Sequence, residues 1–267
     1  MKMDNNSPLS VVIIAKNEAA HIEECLKSVS WAEEIIVVDS GSTDATCEIA
    51  RRYTDKVHYV QWRGFGLQKQ AAVELATFNW ILNIDCDERV TPELAVEIRN
   101  ILDIEKPNPA YSVPRRTFIG AKEIKHSGWH PDRTIRLFDR RFARFSDSLV
   151  HERVITDDAV AECSGHLLHY SFSGLSPMLS KLNNYSDLSA EQMFANGRRC
   201  NLLELFIRPL AAFIKTYLLK LGILDGFEGI LISATTSFLT FAKYAKLKEK
   251  INVAKGSHGN QKNNTVL

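Results

Sequence analysis

The sequence predicts an α/β fold in which a mixed, mainly parallel sheet is flanked by helices and followed by a helical C-terminal extension. Through the first hundred residues, short runs rich in Val and Ile alternate with helical patterns, which is typical of βαβ units. Helical periodicity returns from Met178 onward, after a middle stretch of short aromatic and basic segments. The chain has 267 residues, 45% of them apolar and 24% charged, so it can bury a sizeable core without disulfides.

Four predicted strands alternate with helices in the first half of the chain. The strands cover residues 9–15, 34–39, 57–60 and 80–84. The helices begin at Ile22 and then cover residues 46–52, 67–76 and 92–102. Asp44 is the candidate N-cap of the second helix, and Thr91 caps the fourth, with Pro92 at its first position.

The segment KPNPA at residues 106–110 breaks this alternation. We expect one domain over residues 8–175, with a first half at 8–105 and a second half at 110–175. A helical extension follows at 176–250, where Asp225 and its neighbours separate two apolar stretches. Residues 251–267, rich in Asn, Lys, Gly and Ser, are predicted to be flexible.

Composition excludes several classes of protein. The five cysteines lie far apart without a C-x-x-C pair, which predicts neither a disulfide framework nor a zinc site and fits a reducing compartment. The N-terminus lacks the apolar core of a signal peptide, and charged residues interrupt every apolar run before it reaches the roughly 18 residues of a spanning helix. We therefore expect a cytoplasmic or cytosol-facing protein.

Carboxylates follow three of the predicted strands, at the sheet edge where α/β proteins bind ligands. Asp85 and Asp87, one residue apart on the turn after the fourth strand, can both reach one hard divalent cation. A solvated acidic turn before a helix is the alternative. Near the second strand, Asp39 begins the small-residue loop DSGSTD, which suits either a nucleotide or a capped turn.

Two further positions have the same ambiguity. Asn17 and Glu18, after the first strand, either contact a ligand or cap the first helix. Lys69 either faces a phosphate or is an exposed helix lysine, which is the commoner situation.

Taken in order, the segments AKNE, VVDSGSTD, GLQKQAA and NIDCDE resemble the start of the family 2 glycosyltransferases, which have the nucleotide-sugar-binding fold called GT-A. The resemblance covers about residues 9–102, and no G-x-G-x-x-G follows the first strand, which disfavours a Rossmann dehydrogenase. It implies that Asp39 binds the nucleotide and that Asp85 and Asp87 bind Mg²⁺ or Mn²⁺ on the donor diphosphate. On this basis we expect the nucleotide sugar at Ala15, Asn17, Glu18, Asp39, Ser40, Gly41, Ser42, Asp44, Lys69, Asp85 and Arg136.

The second half narrows the resemblance. The segments WHPDR, IRLFDRR, LVHE and LLHYSF are similar to the bacterial subgroup that includes the β-1,4-glucosyltransferases of the lipopolysaccharide inner core. The resemblance implies transfer of a hexose, glucose from UDP-glucose, onto a heptose of that core, with inversion. Another polysaccharide or lipid-linked acceptor, and a catalytically silent scaffold of the same fold, are the alternatives. A nucleotidyltransferase would need a Gly-rich basic loop after the first strand, which AKNEAAH lacks.

Inverting transfer needs a base for the acceptor hydroxyl and a cation for the leaving diphosphate. Glu152 is the first candidate base and Asp132 the second. His151 either completes the metal site or orients the Glu152 carboxylate, and a surface His–Glu pair without function is the alternative.

Residues 110–145 carry nine Lys and Arg against three acidic residues, whereas residues 1–109 carry 11 against 18. The basic side chains suit phosphates of donor or acceptor, or are solvated strand faces: Arg115, Arg116, Lys122, Lys125, Arg133, Arg136, Arg140, Arg141 and Arg144. We expect no nucleic-acid partner, because no recognition helix or base-stacking module is present.

An apolar stripe recurs at near-helical spacing in the C-terminal extension, beside basic residues. Its members are Phe206, Leu210, Phe213, Tyr217 and Leu221, with Arg208, Lys215 and Lys220 alongside. The pattern fits an interfacial helix on an anionic leaflet and a core helix equally well. The lipid-linked acceptor that the resemblance implies favours peripheral contact with the cytoplasmic face of the inner membrane.

Overall fold

The computed structural model describes residues 7–146 and 152–263, and the chain forms two compact units. The first unit runs to Thr117 and resumes at Pro131–Ser171. The second comprises Phe118–His130 and the chain from Phe172 onward. The second unit therefore takes in Phe118–His130, a segment that the sequence analysis assigns to the second half of the first domain.

The predicted alternation of strands and helices is present in the first unit. The strands are β1 (Leu9–Ala15), β2 (Glu34–Asp39), β3 (Val57–Tyr59) and β4 (Trp80–Asp85). The helices are α1 (Ile22–Ser28), α2 (Thr46–Ala50), α3 (Phe65–Glu74) and α4 (Pro92–Leu102). β1 and β2 have the predicted bounds, because each is built on a run of at least four consecutive apolar residues.

The two predicted helix caps differ in outcome. The Thr91 side chain accepts a hydrogen bond from the Leu94 amide at 3.3 Å, which confirms it as the cap of α4. The prediction for Asp44 is wrong by one residue, since Ala45 occupies the cap position of α2. Asp44 still accepts a hydrogen bond from the Thr46 amide at 3.0 Å, because an aspartate two residues ahead of an amide forms an Asx turn.

One sheet of ten strands organises the first unit. Its parallel part has the order β3-β2-β1-β4. The main path continues in the order β8 (Arg133–Asp139), β6 (Ala110–Ile119), β12 (Leu167–Phe172) and β5 (Glu88–Val90). β8 is antiparallel to β4 and to β6, and β12 is antiparallel to β5. Because Ala15 lies opposite Asp39 and Ile14 opposite Asp85, the turns after β1, β2 and β4 leave the sheet at the same edge.

The short segments predicted after residue 110 are four further strands. They are β7 (Lys122–Ile124), β9 (Ala143–Phe145), β10 (Val154–Thr156) and β11 (Val160–Glu162). β7 and β11 each pair with β6, whereas β9 and β10 pair with each other in a separate antiparallel ribbon.

β1 and β2 are buried on both faces, which explains why their apolar residues are consecutive and do not alternate with polar ones. On β1, Val11 and Ile13 belong to one core, which also contains Leu26 of α1 and Ile98 of α4. Val12 belongs to the other core, with side chains of α3. Helices α1 and α4 therefore cover one face of β1, and α3 covers the other face.

The second unit is mainly helical. It contains α5 (Leu175–Ala195), α6 (Leu202–Ile214) and α7 (Phe227–Asn263). A π-helical turn (Lys215–Leu219) and a 3-10 turn (Gly222–Asp225) connect α6 to α7, which confirms the predicted break near Asp225. No helix among the described residues is long and apolar enough to cross a bilayer.

Two boundaries of this unit differ from the prediction. α5 begins at Leu175, three residues before Met178, where helical periodicity returns in the sequence. The backbone of α7 is helical through Asn263, although residues 251–267 are predicted to be flexible. Ala, Lys and Gln in this stretch are good helix formers, so polar composition alone is a poor guide to where a helix ends.

Candidate functional site

The turn after β2 is organised around the Asp39 carboxylate. This side chain is buried and accepts hydrogen bonds from the Gly41 amide at 2.8 Å, the Ser42 amide at 3.0 Å and the Ser42 hydroxyl. Burial disfavours the charged carboxylate, but the hydrogen bonds from Ser42 and Gly41 outweigh it and hold the pKa of Asp39 below its usual value. Gly41 has φ +96°, a conformation that favours glycine. Asp39, which is predicted to bind the nucleotide, thus also fixes the conformation of its own loop.

The turns after β1 and β2 are joined by hydrogen bonds between them. The Asn17 side chain accepts from the Thr43 amide, and the Asn17 amide donates to the Ser42 hydroxyl, both at 2.8 Å. The Glu18 amide donates to the Thr46 hydroxyl, and the Ser40 amide to the Ala15 carbonyl. Asn17, with φ +57°, therefore links two loops and does not cap α1, whose cap position is His21. These bonds bring the predicted residues of both loops together.

Asp85, the last residue of β4, lies between two buried cations. Lys69 Nζ is 2.9 Å from Asp85 Oδ1, and Arg136 Nη2 is 2.8 Å from Oδ2. Burial works against ionisation, yet the charges of Lys69 and Arg136 and their hydrogen bonds outweigh it and hold the pKa of Asp85 well below its ordinary value. The alternative of a solvated acidic turn is wrong for Asp85, because both of its oxygens are engaged by the protein.

Ion pairs extend from Asp85 in both directions. Together they form the ion-pair series, in which acids and bases alternate: Glu152, Lys69, Asp85, Arg136, Glu88, Arg115 and Asp132. Arg136 also donates to the Asn83 side chain at 2.9 Å, and Glu88 accepts from the Asp85 amide at 2.9 Å. Such a series offsets the desolvation of each buried charge with two neighbours of opposite sign.

The two candidate bases are at opposite ends of the ion-pair series. Glu152 Oε1 is 2.9 Å from Lys69 Nζ, so one ammonium bridges Glu152 and Asp85. Asp132 is paired with Arg115 at 2.6 Å and is separated from Asp85 by three further members. Lys69 is 4% exposed, which excludes the alternative of an exposed helix lysine. Of the two candidate bases, Glu152 is thus the one that shares an ion-pair partner with Asp85.

Asp87 has a different partner, which the sequence analysis missed. His169 on β12 places Nε2 at 3.4 Å from Asp87 Oδ2, and its Nδ1 is 3.3 Å from the Thr117 hydroxyl. A carboxylate beside an imidazole whose second nitrogen is held by a hydroxyl is a donor set suited to a divalent cation. The histidine lies within the segment LLHYSF, so the signal was present, but its distance to Asp87 depends on strand pairing. β12 pairs antiparallel with β5, placing His169 opposite Glu88.

Asp85, Asp87 and His151 are the metal ligands that the sequence predicts, and the structure describes the first two. His151 lies outside the described residues. In the ranges that the structure describes, no three His, Cys, Asp or Glu side chains converge on one point. Asp87 and His169 could supply two ligands to a divalent cation such as Mn²⁺, whose other ligands would come from substrate phosphate and water.

Local packing fixes the turn that carries Asp85 and Asp87. Cys86 between them is buried, and its thiol donates to the Ile14 carbonyl at 3.3 Å, so this cysteine fills the space between β1 and the turn. Arg89 donates to the carbonyls of Cys86 at 2.8 Å and His21 at 2.7 Å and packs on the Tyr170 ring. Burial raises the pKa of the Cys86 thiol well above its ordinary value, so it is a neutral packing group.

The remaining basic residues of the middle segment mostly have structural partners. Arg140 donates to the Val73 and Ala76 carbonyls at the end of α3, and Arg141 pairs with Asp139. Arg133 donates to the Cys163 carbonyl at 3.2 Å. Lys122 and Lys125 are exposed in the second unit. Arg115 and Arg136 of this set belong to the ion-pair series.

This chain is similar to a protein family, to individual bacterial proteins and to solved structures. The family model described as Glycosyl transferase family 2 matches residues 10–160. The lipopolysaccharide core biosynthesis glycosyltransferase LpsC of Rhizobium meliloti is 33% identical over 260 residues, which cover 92% of this chain and 96% of LpsC. An uncharacterized glycosyltransferase of Rickettsia felis is 31% identical, over 91% of this chain and 90% of its own. Among solved structures, S. aureus TarS 1-349 in complex with UDP-GlcNAc is 14% identical over 92% of both chains, with a TM-score of 0.48.

The mixed, mainly parallel sheet flanked by helices is the GT-A architecture that the resemblance implies. Because the family model matches more than half of the chain and LpsC aligns with nearly all of it, this chain belongs to glycosyl transferase family 2.

Proposed function

We propose that this glycosyltransferase moves glucose from UDP-glucose onto a heptose of the lipopolysaccharide inner core, with inversion and with a divalent cation. The observation that carries the proposal is the position of the Lys69 ammonium. It pairs with both Asp85 and the candidate base Glu152, and so holds the two carboxylates close together. LpsC, the relative that aligns over most of this chain, is named as a lipopolysaccharide core glycosyltransferase, which supports the acceptor class.

The donor is assigned to the edge of the sheet where the turns after β1, β2 and β4 meet. Asp39 would accept hydrogen bonds from the nucleotide, beside the backbone of Ser40, Gly41 and Ser42. Ala15, Asn17, Glu18 and Asp44 form the opposing loop. Arg136 and Lys69 carry positive charge toward Asp85 and so reduce repulsion between this acidic edge and a diphosphate.

The cation, Mg²⁺ or Mn²⁺, is assigned to Asp87 and His169, with Asp85 next to it. When bound, it would offset the negative charge that develops on the departing diphosphate. Asp85 contributes less directly, because Lys69 and Arg136 each occupy one of its oxygens. His151 stays a further candidate ligand.

Glu152 is assigned as the base. It contacts Lys69 through Oε1, so we assign Oε2 to the proton of the acceptor hydroxyl. Lys69 holds the carboxylate in a fixed orientation, which a base needs before it can take a proton from a bound substrate. Asp132 is the second choice, because three residues of the ion-pair series separate it from Asp85.

The acceptor that this assignment implies is attached to lipid. We therefore place the reaction at the cytoplasmic face of the inner membrane, with the protein in peripheral contact. The same site would also serve another bacterial polysaccharide or lipid-linked acceptor.

The test is a thermal-shift panel of UDP, GDP, CMP and dTDP sugars, each with Mn²⁺, Mg²⁺ or EDTA. A ligand that binds only the folded state at about a hundred times its Kd stabilises the protein by about 2.7 kcal/mol. A metal-dependent shift with UDP-glucose, followed by UDP release with a heptose acceptor, would support the proposal. A shift with a different nucleotide sugar would replace the donor. No shift with any of them would favour a silent scaffold.

A further inference from the structure

A large exposed apolar surface lies on α6, the turns that follow it and the start of α7. We call this segment, Leu202–Ile230, the apolar hairpin. Seven of its large side chains are between 61 and 76% exposed: Leu202, Leu203, Phe206, Leu210, Leu219, Leu224 and Phe227. None of the residues of α6 is fully buried. Apolar exposure on this scale indicates a surface that contacts a partner or a membrane.

The tip of the apolar hairpin has a fixed backbone, so its exposed side chains do not come from fraying. Asp225 is buried and accepts hydrogen bonds from the Lys125 and His126 amides, both at 3.1 Å, and from the Ser127 hydroxyl at 2.7 Å. A Cβ on Gly229 would meet the Gly222 carbonyl oxygen at 1.7 Å, so the two backbones touch.

Leu221 adopts an unfavourable backbone conformation at this tip. Its φ is +55°, in the left-handed region that disfavours residues with a Cβ, and its side chain is exposed. Leu224 and Phe227 flank the buried Asp225 and are also exposed. The buried Asp225 thus fixes the backbone of a tip whose apolar side chains are exposed to solvent.

Most charged residues of the apolar hairpin, and of the four residues before it, are basic. Arg199, Arg208, Lys215 and Lys220 are exposed. The acidic residues between positions 198 and 230 are Glu204, Asp225 and the half-buried Glu228, against five basic ones. Glu204 is already paired with Arg198 and Arg208, and Asp225 is buried. Arg198 and Arg199 also line an open cavity of about 690 Å³ with Tyr244.

We propose that the apolar hairpin docks on an anionic lipid bilayer, with its exposed Leu and Phe side chains among the acyl chains and its basic residues at the headgroups. An apolar helix face with Lys and Arg beside it is the pattern of helices that lie in the plane of an anionic interface. A second copy of this chain fits less well, because a self-complementary contact would bring the same cations together. The inference rests on the proposed function only in that a lipid-linked acceptor gives the docking a purpose.

The experiment measures how the full-length protein partitions onto phosphatidylcholine vesicles with and without phosphatidylglycerol. We expect binding to the anionic vesicles and a roughly tenfold or larger loss with Leu210→Glu, because a charge must then enter the apolar layer. Leu188→Glu, on an exposed position of α5, is the matched control and should bind like the unmodified protein. Lys215→Glu with Lys220→Glu should weaken binding to the anionic vesicles specifically.

Circular dichroism confirms that each variant is folded, and the UDP-glucose thermal shift reports the donor site independently. Vesicle binding that Leu210→Glu leaves unchanged, or absence of binding to either vesicle, would overturn the inference. So would a dimer that Leu210→Glu dissociates while vesicles bind nothing. If vesicle binding behaves as expected but no nucleotide sugar binds, the proposed function fails and the docking surface stands.

Discussion

Lys69 binds Glu152 from a nearly inaccessible position on α3: its ammonium lies 2.9 Å from the Glu152 carboxylate, and the lysine is 4% exposed. The same ammonium is 2.9 Å from Asp85. A buried cation held by two carboxylates stabilises both charges, so removal of either side leaves an uncompensated group. Lys69 is therefore expected to support stability and catalysis together.

Lys69→Met tests this double role. We expect the free energy of unfolding to fall by about 3 kcal/mol, because Asp85 keeps only Arg136 and Glu152 loses its partner. Transfer should fall at least about a hundredfold. Urea unfolding and UDP release measure the two effects. Lys27→Met, which removes an exposed helix pair, should change stability by less than about 0.5 kcal/mol. Equal effects of the two substitutions would remove the role assigned to Lys69.

Glu152→Gln keeps the size of the side chain and removes its ability to accept a proton. We expect kcat to fall by about 10² to 10⁴, with KM for UDP-glucose changed only a few-fold, since the base acts in the chemical step. Asp132→Asn should have the smaller effect, because Asp132 shares no partner with Asp85. A larger loss of kcat in Asp132→Asn than in Glu152→Gln would transfer the base role to Asp132.

The fold could be predicted from sequence to the extent that it depends on local pattern. β1 and β2 each contain a run of consecutive apolar residues because both of their faces are covered, and Thr91 with Pro92 is a strong start signal for α4. The end of α7 could not be predicted in this way. Its polar composition is compatible both with a flexible tail and with a helix that continues to Asn263.

The candidate site was predictable as a list of residues but not as a set of partners. Strand ends identified Asp39, Asp85 and Asp87, since parallel strands bring their carboxyl ends to one edge. The contact of Asp87 with His169 depends on how β12 pairs with β5, two strands far apart in sequence. Glu88, which pairs with Arg136 and Arg115 in the ion-pair series, has the sequence pattern of one more acidic residue of a turn, although its side chain is fully buried.

His169→Ala tests the assignment of the cation. If His169 and Asp87 hold it, the Mn²⁺ concentration that gives half of the UDP-dependent thermal shift should rise about 10- to 100-fold. Thr117→Val removes the hydroxyl beside His169 Nδ1 and should give a smaller increase in the same direction. His166→Ala changes an exposed histidine three residues away and is the control. A Mn²⁺ dependence that is the same in His169→Ala and His166→Ala would rule out His169 as a ligand.

Glu34 provides a test of stability that is separate from catalysis. It begins β2, is buried, and accepts hydrogen bonds from the Ser10 hydroxyl, the Lys56 ammonium and the amide and hydroxyl of Thr77. Burial alone would raise its pKa, but these bonds, from Lys56 first, outweigh burial and lower the pKa from 4.5 to about 2. Glu34 therefore ties the first two strands to the turn before β4.

Because the folded pKa of Glu34 is depressed, its ionised form favours the folded state above the unfolded pKa. This contribution, on the order of 3 kcal/mol near neutral pH, is lost as the pH falls from about 4.5 toward about 2. Glu34→Gln should therefore destabilise the protein by about that amount near pH 7 and by clearly less near pH 3, as measured by urea unfolding. Glu48→Gln, in an exposed pair with Arg52, should stay within about 0.5 kcal/mol of the unmodified protein. A Glu34→Gln loss that is equal at both pH values would show that packing, not charge, makes Glu34 stabilising.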